Sequence, residues 1–377
     1  MSEGWTTPGP HAPGPPPAGP PPHPGPPPPP GLPAAPGLPP AAPYGGPPGQ
    51  AAFPYGQAYG QPWSPPPARG FRAPAGEPRP YPQLLRSPTY RWWRPLVSLG
   101  VGVAVTGVIV IGLGIAIAFV DAATGEDVTT PLSEGPVGFL FTNLIIAAAI
   151  PVSMAAVTLG FLRPPTFLLS VVLRMRWRWM AVCSAWLVGW ALVATGLWFA
   201  LDGLPSTGGE QAVLLIALCL LTTPLQAAGE EFLVRGWLTQ SIGAWFARPV
   251  AGAVVAGLVS ATVFALLHGT QNAWLFGDRF AFGVIASYLV WRTGGLEAAI
   301  ALHAISNISA IIPSALEGTL DESLTVTEAP VGTVLVDVVM LLVAAVIVVV
   351  LARRRDVERL GPHPEGPGHA PEPVHAR

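Results

Sequence analysis

The chain has little charge for its length. Only 11% of its 377 residues are charged, whereas soluble domains carry about 25%. Half of the residues are hydrophobic, and the mean hydropathy is +0.48. This composition excludes an ordinary soluble enzyme and predicts an integral membrane protein.

Cysteine is scarce and lysine is absent. The two cysteines, Cys183 and Cys219, fall in apolar stretches that are far apart in sequence. A disulfide framework is therefore not implied, and we interpret both residues as small buried hydrophobes. All 19 basic residues are arginine, which we attribute to the codon bias of a GC-rich genome.

A proline-rich segment occupies residues 1–90. Such a composition favours polyproline II and cannot form a core, so we expect a disordered cytoplasmic tail. Docking of a proline-reading domain is the alternative, although no specific motif supports it. A signal peptide would need a basic start followed by an apolar run, so we expect the first span itself to start membrane insertion.

Eight apolar segments follow the tail and are long enough, or nearly so, to cross about 30 Å of hydrocarbon. Backbone groups in lipid must be satisfied internally, and long apolar segments achieve this as helices. We therefore predict an all-α, polytopic transmembrane bundle over residues 91–352, with a short polar tail at 353–377. The sixth segment is short and is expected to be tilted, re-entrant or partly inserted. The segments are 96–120, 137–161, 179–201, 212–234, 250–268, 279–292, 295–313 and 331–351.

Arginines and acids alternate between successive loops. Arginines precede the first span, follow the second and follow the last, whereas the loops after the first span, after the third span and before the last span are acidic. Because cytoplasmic loops are enriched in basic residues, we expect an even number of spans with both termini in the cytoplasm. The expected location is the cell membrane.

Two adjacent acids, Glu230 and Glu231, lie in the fourth segment. Inserting a carboxylate into a bilayer core costs about 2.5–3.5 kcal/mol, so two adjacent carboxylates there indicate a structural or functional role. Residues four apart on a helix are neighbours, which pairs Glu231 with Arg235 as scaffolding. Glu230 has Val234 at that spacing and no evident partner on its own helix, so we interpret Glu230 as the reactive carboxylate.

Two of the seven histidines, His268 and His303, lie in the membrane portion. Glu230 and His268 stand at similar distances, about 27–30 Å, from a predicted break at Arg248-Pro249. An antiparallel helical hairpin would therefore bring them to the same depth. A kink at Thr222-Thr223-Pro224 could accommodate the long fourth helix.

His303 shares a helix face with Asn307, four residues later. Both side chains can donate hydrogen bonds to a developing oxyanion, and losing one such donor typically costs about 10²–10³ in rate. The structural alternative is a helix–helix hydrogen bond worth about 0.6 kcal/mol.

These residues form three linked motifs whose order and spacing resemble the CPBP intramembrane proteases, the type II CAAX prenyl endopeptidase and bacteriocin-processing family, also called Abi. The resemblance covers about residues 180–313. The motifs are Glu230-Glu231-x-x-x-Arg235, Phe264-x-x-x-His268 and His303-x-x-x-Asn307.

The resemblance implies an intramembrane endopeptidase with an all-helical fold and no cofactor. It implies that Glu230 and His268 activate a water molecule, and that His303 and Asn307 stabilise the oxyanion. Supporting positions would be Glu231, Arg235 and Phe264, the last packing beside the site. Zinc bound by the glutamates and histidines is the less favoured alternative.

Two other functions are compatible with the sequence. Intramembrane Glu and His residues also form the proton relays of transporters, although no convincing inverted repeat is visible. An immunity-type membrane protein that binds a peptide without cleaving it is the third hypothesis. The expected partners are a peptide or membrane-protein substrate and the bilayer, with no nucleic acid, and the side of substrate entry is left open.

Overall fold

The computed structural model describes residues 78–86, 90–125, 134–203 and 211–361, together with residues 127, 129 and 132. All of them belong to one compact unit, Pro67–Arg377. The remainder of both predicted tails lies outside the described residues.

Eight helices in the described part are long and apolar enough to cross a membrane. The predicted all-α bundle of eight spans is therefore confirmed, and the chain is a multi-pass membrane protein. The helices are α1 Arg94–Thr124, α2 Gly135–Phe161, α3 Trp177–Asp202, α4 Ala212–Gly243, α5 Pro249–Leu266, α6 Ala273–Thr293, α7 Glu297–Glu317 and α8 Val331–Arg354.

The sixth helix, α6, is longer than the sequence suggested. It has 21 residues and is long enough to span, so the expectation of a short segment beginning at 279 is wrong. Its N-terminus is capped by Asn272, whose side chain accepts a hydrogen bond from the Leu275 amide at 2.9 Å. Asp278 and Arg279 interrupt the apolar pattern of the first turns, which explains the underestimate.

The fourth helix, α4, continues through Pro224 to Gly243 and has 32 residues. Its extension towards the break at Arg248-Pro249, and the start of α5 at that proline, are confirmed. Between Phe232 and Leu238 the helix adopts π geometry. Such segments are frequent at functional sites, and this one begins directly after Glu231.

Two glycines let helices approach closely near the middle of the bundle. A Cβ on Gly229 of α4 would collide with the backbone of α2 at Ile146 and Ala147. A Cβ on Gly283 of α6 would collide with Ala261 of α5. Side chains next to these glycines are therefore held by backbone-to-backbone packing.

Short segments from both ends of the described chain form a cap over one end of the bundle. We define the cap as residues 79–86 and 360–361, where Arg79–Pro80 (β1) pairs antiparallel with Leu360–Gly361 (β2). Gln83 Nε2 donates to the carbonyl oxygens of Phe246 at 2.7 Å and Arg248 at 3.3 Å. Packed structure thus extends on both sides of the predicted membrane domain, 91–352.

A buried ion pair fixes the start of α7, the helix that carries His303. Glu297, which is fully buried, accepts hydrogen bonds from the Arg176 backbone amide at 3.0 Å and from Arg176 Nε at 2.8 Å. Arg176 Nη2 lies 2.7 Å from the second Glu297 oxygen and also donates to the Thr293 carbonyl at 2.8 Å. The loop before α3 is thereby tied to the first turn of α7.

Candidate active site

Glu231 holds two functional groups at once. Its Oε1 accepts hydrogen bonds from Arg235 Nη1 at 2.8 Å and from His303 Nδ1 at 2.8 Å. Glu231 and Arg235 are 0% exposed, so the predicted pair on one helix is confirmed. The bond to His303 also ties α4 to α7, a role that the sequence did not indicate.

Glu230 occupies a more open position beside the same histidine. Its Oε2 lies 3.8 Å from His303 Nε2, and its side chain is 18% exposed. Gln226, four residues earlier on α4, donates from Nε2 to Glu230 Oε1. The expectation that Glu230 lacks a partner on its own helix is therefore wrong. The same helical spacing, taken four residues before Glu230, already points to Gln226.

Asn307 is linked to Glu230 through the same glutamine. Its Nδ2 donates to Gln226 Oε1 at 3.2 Å, while Gln226 Nε2 binds Glu230. His303 and Asn307 therefore both face α4, as their shared helix face predicted. One side-chain amide bridges the predicted base and one of the predicted oxyanion donors.

His268 follows the end of α5 and contacts its own helix. Its Nδ1 lies 2.8 Å from the Phe264 carbonyl oxygen. Because a carbonyl can only accept, Nδ1 carries the hydrogen, and Nε2 of the neutral ring is an acceptor.

The electrostatic surroundings of His268 include the other site residues. Although part of the ring reaches the surface, the desolvation imposed by surrounding protein atoms lowers the pKa of His268. The Glu230 carboxylate acts in the opposite sense, whereas Arg279 and His303 add to the lowering. Glu230 and His303 are thus both close enough to affect the pKa of His268.

The Phe264 ring contacts both histidines of the site and the Arg235 guanidinium. The Phe264 ring centroid lies 4.7 Å from that of His268 and 5.7 Å from that of His303. The Arg235 guanidinium carbon lies 4.3 Å from the same centroid, within the range of a cation–π contact. Phe264 therefore contacts His268, His303 and Arg235.

Phe282 of α6 is a neighbour that the sequence did not reveal. Its ring centroid lies 4.9 Å from that of His303 and 5.5 Å from the Arg235 guanidinium carbon. No motif marks this residue, since one phenylalanine in an apolar span is ordinary.

No three His, Cys, Asp or Glu side chains in the described part of the chain are grouped as metal ligands would be. Glu231 and His303 are instead hydrogen-bonded to each other, and Glu231 also binds Arg235. The described glutamates and histidines are therefore not arranged as a set of zinc ligands.

Comparisons with known proteins match the part of the chain that carries these residues. Residues 210–309 match the family model described as type II CAAX prenyl endopeptidase Rce1-like. The uncharacterized protein YyaK of Bacillus subtilis (strain 168) is 24% identical over 188 residues, which cover 47% of this chain and 61% of YyaK. The chain thus spans less than two thirds of that relative's length. No solved structure matches.

The matched segment contains every residue of the site. It includes Gln226 and Glu230 of α4 at one end and Asn307 of α7 at the other. The match thus supports a CPBP family protease, carried by an Rce1-like, type II CAAX prenyl endopeptidase region in a chain whose described part has eight helices able to span a membrane.

Proposed function

We propose that the protein is an intramembrane endopeptidase in which Glu230 is the general base. The observation that carries this proposal is the difference between two adjacent acids. One oxygen of Glu231 is engaged by both Arg235 and His303, whereas Glu230 keeps an accessible carboxylate 3.8 Å from His303 Nε2. This difference supports Glu230, rather than Glu231, as the carboxylate that acts on the substrate.

Water activation would use two acceptors. Glu230 and His268 Nε2 can each accept a hydrogen from one water molecule, because His268 Nδ1 is already committed to the Phe264 carbonyl. Glu230 takes a proton from the water molecule, and the oxygen of that water attacks the scissile carbonyl carbon. A positioned base of this kind contributes about 10²–10⁴-fold in rate.

The tetrahedral intermediate would place its oxyanion near α7. Asn307 Nδ2 can transfer its hydrogen bond from Gln226 Oε1, which is 3.2 Å away, to the oxyanion. Because His303 Nδ1 already donates to Glu231, Nε2 would add a second donor only with the ring protonated on both nitrogens. Gln226 is a positioning residue, because it orients both Glu230 and Asn307.

Collapse of the intermediate completes the reaction. The C–N bond breaks, and Glu230 returns the proton it took from water to the leaving amine. The new C–O bond remains in the carboxylic acid product. No oxidant, reductant or cofactor is needed for this sequence of steps.

The substrate is proposed only as a peptide or a membrane protein in the cell membrane. The arginine-bearing end of the bundle, which includes the cap, would face the cytoplasm, because cytoplasmic loops favour basic residues. Both chain termini would then be cytoplasmic.

Comparative proteomics of membrane peptides tests this function. Cells producing wild-type protein, Glu230→Gln and Glu317→Gln are compared at equal expression. The Glu317→Gln variant is the matched control, since it makes the same change at an exposed carboxylate at the end of α7. Cleavage products should be present with wild-type protein and Glu317→Gln, and absent with Glu230→Gln. Identical products in all three would refute the proposal.

A further inference from the structure

The turn between α5 and α6, residues 267–272, carries His268. Residues 266–270 are all exposed, and Gly269 has a φ of 78°, a left-handed conformation that glycine adopts without strain. Exposed segments with little packing around them open more easily than the core does. The hydrogen bonds at the two ends of this turn therefore matter for the orientation of His268.

Two side chains close the end of α5. The last four carbonyl groups of a helix have no partner within that helix. His268 Nδ1 lies 2.8 Å from the Phe264 carbonyl oxygen, and Gln271 Nε2 donates to the next carbonyl, that of Ala265, at 2.6 Å. Gln271 thus acts on the same helical turn that orients His268.

Arg279 holds Gln271 from the opposite side. It is the seventh residue of α6, and a helical side chain points back towards the N-terminus of its helix, here towards the turn. Its Nη1 donates to Gln271 Oε1 at 2.7 Å. Because a guanidinium can only donate and a backbone carbonyl can only accept, one orientation of the Gln271 amide serves both partners. Arg279, Gln271 and the Ala265 carbonyl are therefore linked in series from α6 to α5.

The start of α6, from which Arg279 projects, is fixed by other contacts. The Asn272 backbone amide donates to the Thr327 carbonyl at 2.7 Å, and Asn272 Nδ2 donates to the Ala329 carbonyl at 3.3 Å. These bonds tie the N-cap of α6 to the segment that leads into α8. Arg279 thus reaches the turn from an anchored helix.

Arg279 also acts on His268 through its charge. The pKa of His268 is lowered by desolvation, and the charges of Arg279 on α6 and His303 on α7 lower it further, whereas Glu230 on α4 raises it. Only the neutral ring can accept a hydrogen bond from water. The side chain that reaches the turn through Gln271 therefore also favours the form of His268 that can bind water.

From these contacts we propose that Arg279 is a positioning residue, which holds His268 in the site through Gln271 and the last turn of α5. The catalytic part of this role rests on the proposed function, in which His268 Nε2 accepts a hydrogen from the attacking water. Neither Arg279 nor Gln271 belongs to the three motifs of the site. The link from Arg279 to α5 is a property of the folded chain and can be measured without cleavage.

The pH dependence of His268 modification tests this role. Purified full-length protein is treated with diethyl pyrocarbonate, which modifies neutral imidazole, and modification of His268 is followed by peptide mass spectrometry. Wild-type protein is compared with Arg279→Gln, Arg279→Lys and Arg248→Gln. Arg248 is exposed at the opposite end of α5, so the control makes the same change about 30 Å away along the helix.

Removal of the cation should raise the pKa of His268, because a nearby positive charge disfavours the protonated ring. The midpoint of the modification curve should therefore rise by about 0.3–1 pH unit in Arg279→Gln. It should stay at the wild-type value in Arg279→Lys and Arg248→Gln. A lower thermal unfolding midpoint with an unchanged modification curve would show a merely structural role for Arg279 and overturn the proposal.

Gln271→Met separates the hydrogen bonds from the charge. It removes both bonds of the amide and leaves the Arg279 cation in the chain. Amide hydrogen exchange in residues 266–271 should become at least about tenfold faster, because the turn opens more often. At about pH 8, where His268 is neutral, kcat should fall at least about fivefold with little change in KM. Unchanged exchange or an unchanged kcat would overturn the positioning role.

Failure of the proposed function gives a different pattern. If wild-type protein cleaves nothing while the modification and exchange experiments give the expected results, the protease proposal is contradicted. The hold of Arg279 on His268 would then stand, since neither measurement depends on cleavage.

Discussion

Glu230 and Glu231 are adjacent in the chain, yet they lie in two different halves of the site. Glu231 belongs to the closed half, where Arg235 and His303 share one of its oxygens. Glu230 belongs to the open half, where its side chain is 18% exposed and is bound by Gln226, which in turn binds Asn307. The rotation of about 100° between successive helical residues gives the two carboxylates different surroundings, and the roles that we propose for them follow from this difference.

The largest expected effect is on stability and comes from the closed half. Glu231→Ala leaves the Arg235 guanidinium buried without its partner, which typically costs about 3–5 kcal/mol. We expect a large drop in folded yield and in the thermal unfolding midpoint, measured in detergent by fluorescence-detected size exclusion. Glu317→Ala, at an exposed carboxylate, is the control and should behave as wild type. An unchanged midpoint for Glu231→Ala would contradict the holding role.

The next effect is on rate and comes from the open half. Asn307→Ala removes one proposed oxyanion donor, so the cleavage rate should fall by about 10²–10³. The folded yield should change little, because Asn307 makes one long hydrogen bond, 3.2 Å to Gln226, and is only partly buried. Rates are measured on a peptide found by the proteomic comparison, with Ser309→Ala on the same helix as control. Equal losses in the two variants would sink the assignment.

The smallest effect is on pH dependence. Protein surroundings lower the pKa of His268, and an unperturbed histidine has a pKa of about 6.5. Only a neutral His268 can accept a hydrogen bond from water. Protonation of its ring should therefore lower the cleavage rate only below about pH 6.5. The pH–rate profile should therefore show no loss from His268 at pH 6.5 or above. A limb above pH 6.5 that disappears in His268→Gln would contradict this expectation.

Much of the fold could be predicted because a bilayer restricts which backbone structures can span it. Backbone polar groups in lipid require helices, so the eight apolar segments located the eight spans. The prediction was weaker where polar residues enter a helix, as Asp278 and Arg279 do near the start of α6. The cap was not predicted, because the residues around Gln83 resemble the proline-rich tail and pack only through distant partners such as Phe246.

The sequence indicated which residues belong to the candidate site, but not which of them contact one another across helices. Spacing on one helix paired Glu231 with Arg235, since neighbours four apart follow from helical geometry. The bond between Glu231 and His303 joins two helices and depends on how each is rotated, which local spacing does not determine. Gln226 could have been found at the same spacing, whereas Phe282 follows only from the packing of α6 against α5.

Glu230 and Glu231 are proposed to have different roles, and one paired measurement tests this proposal directly. Glu230→Gln and Glu231→Gln are purified, and cleavage per folded molecule is measured together with the thermal unfolding midpoint. We predict that Glu230→Gln keeps the wild-type midpoint and loses at least about 10²-fold in rate, while Glu231→Gln has a clearly lower midpoint. A Glu230→Gln enzyme that cleaves at the wild-type rate would contradict the central claim.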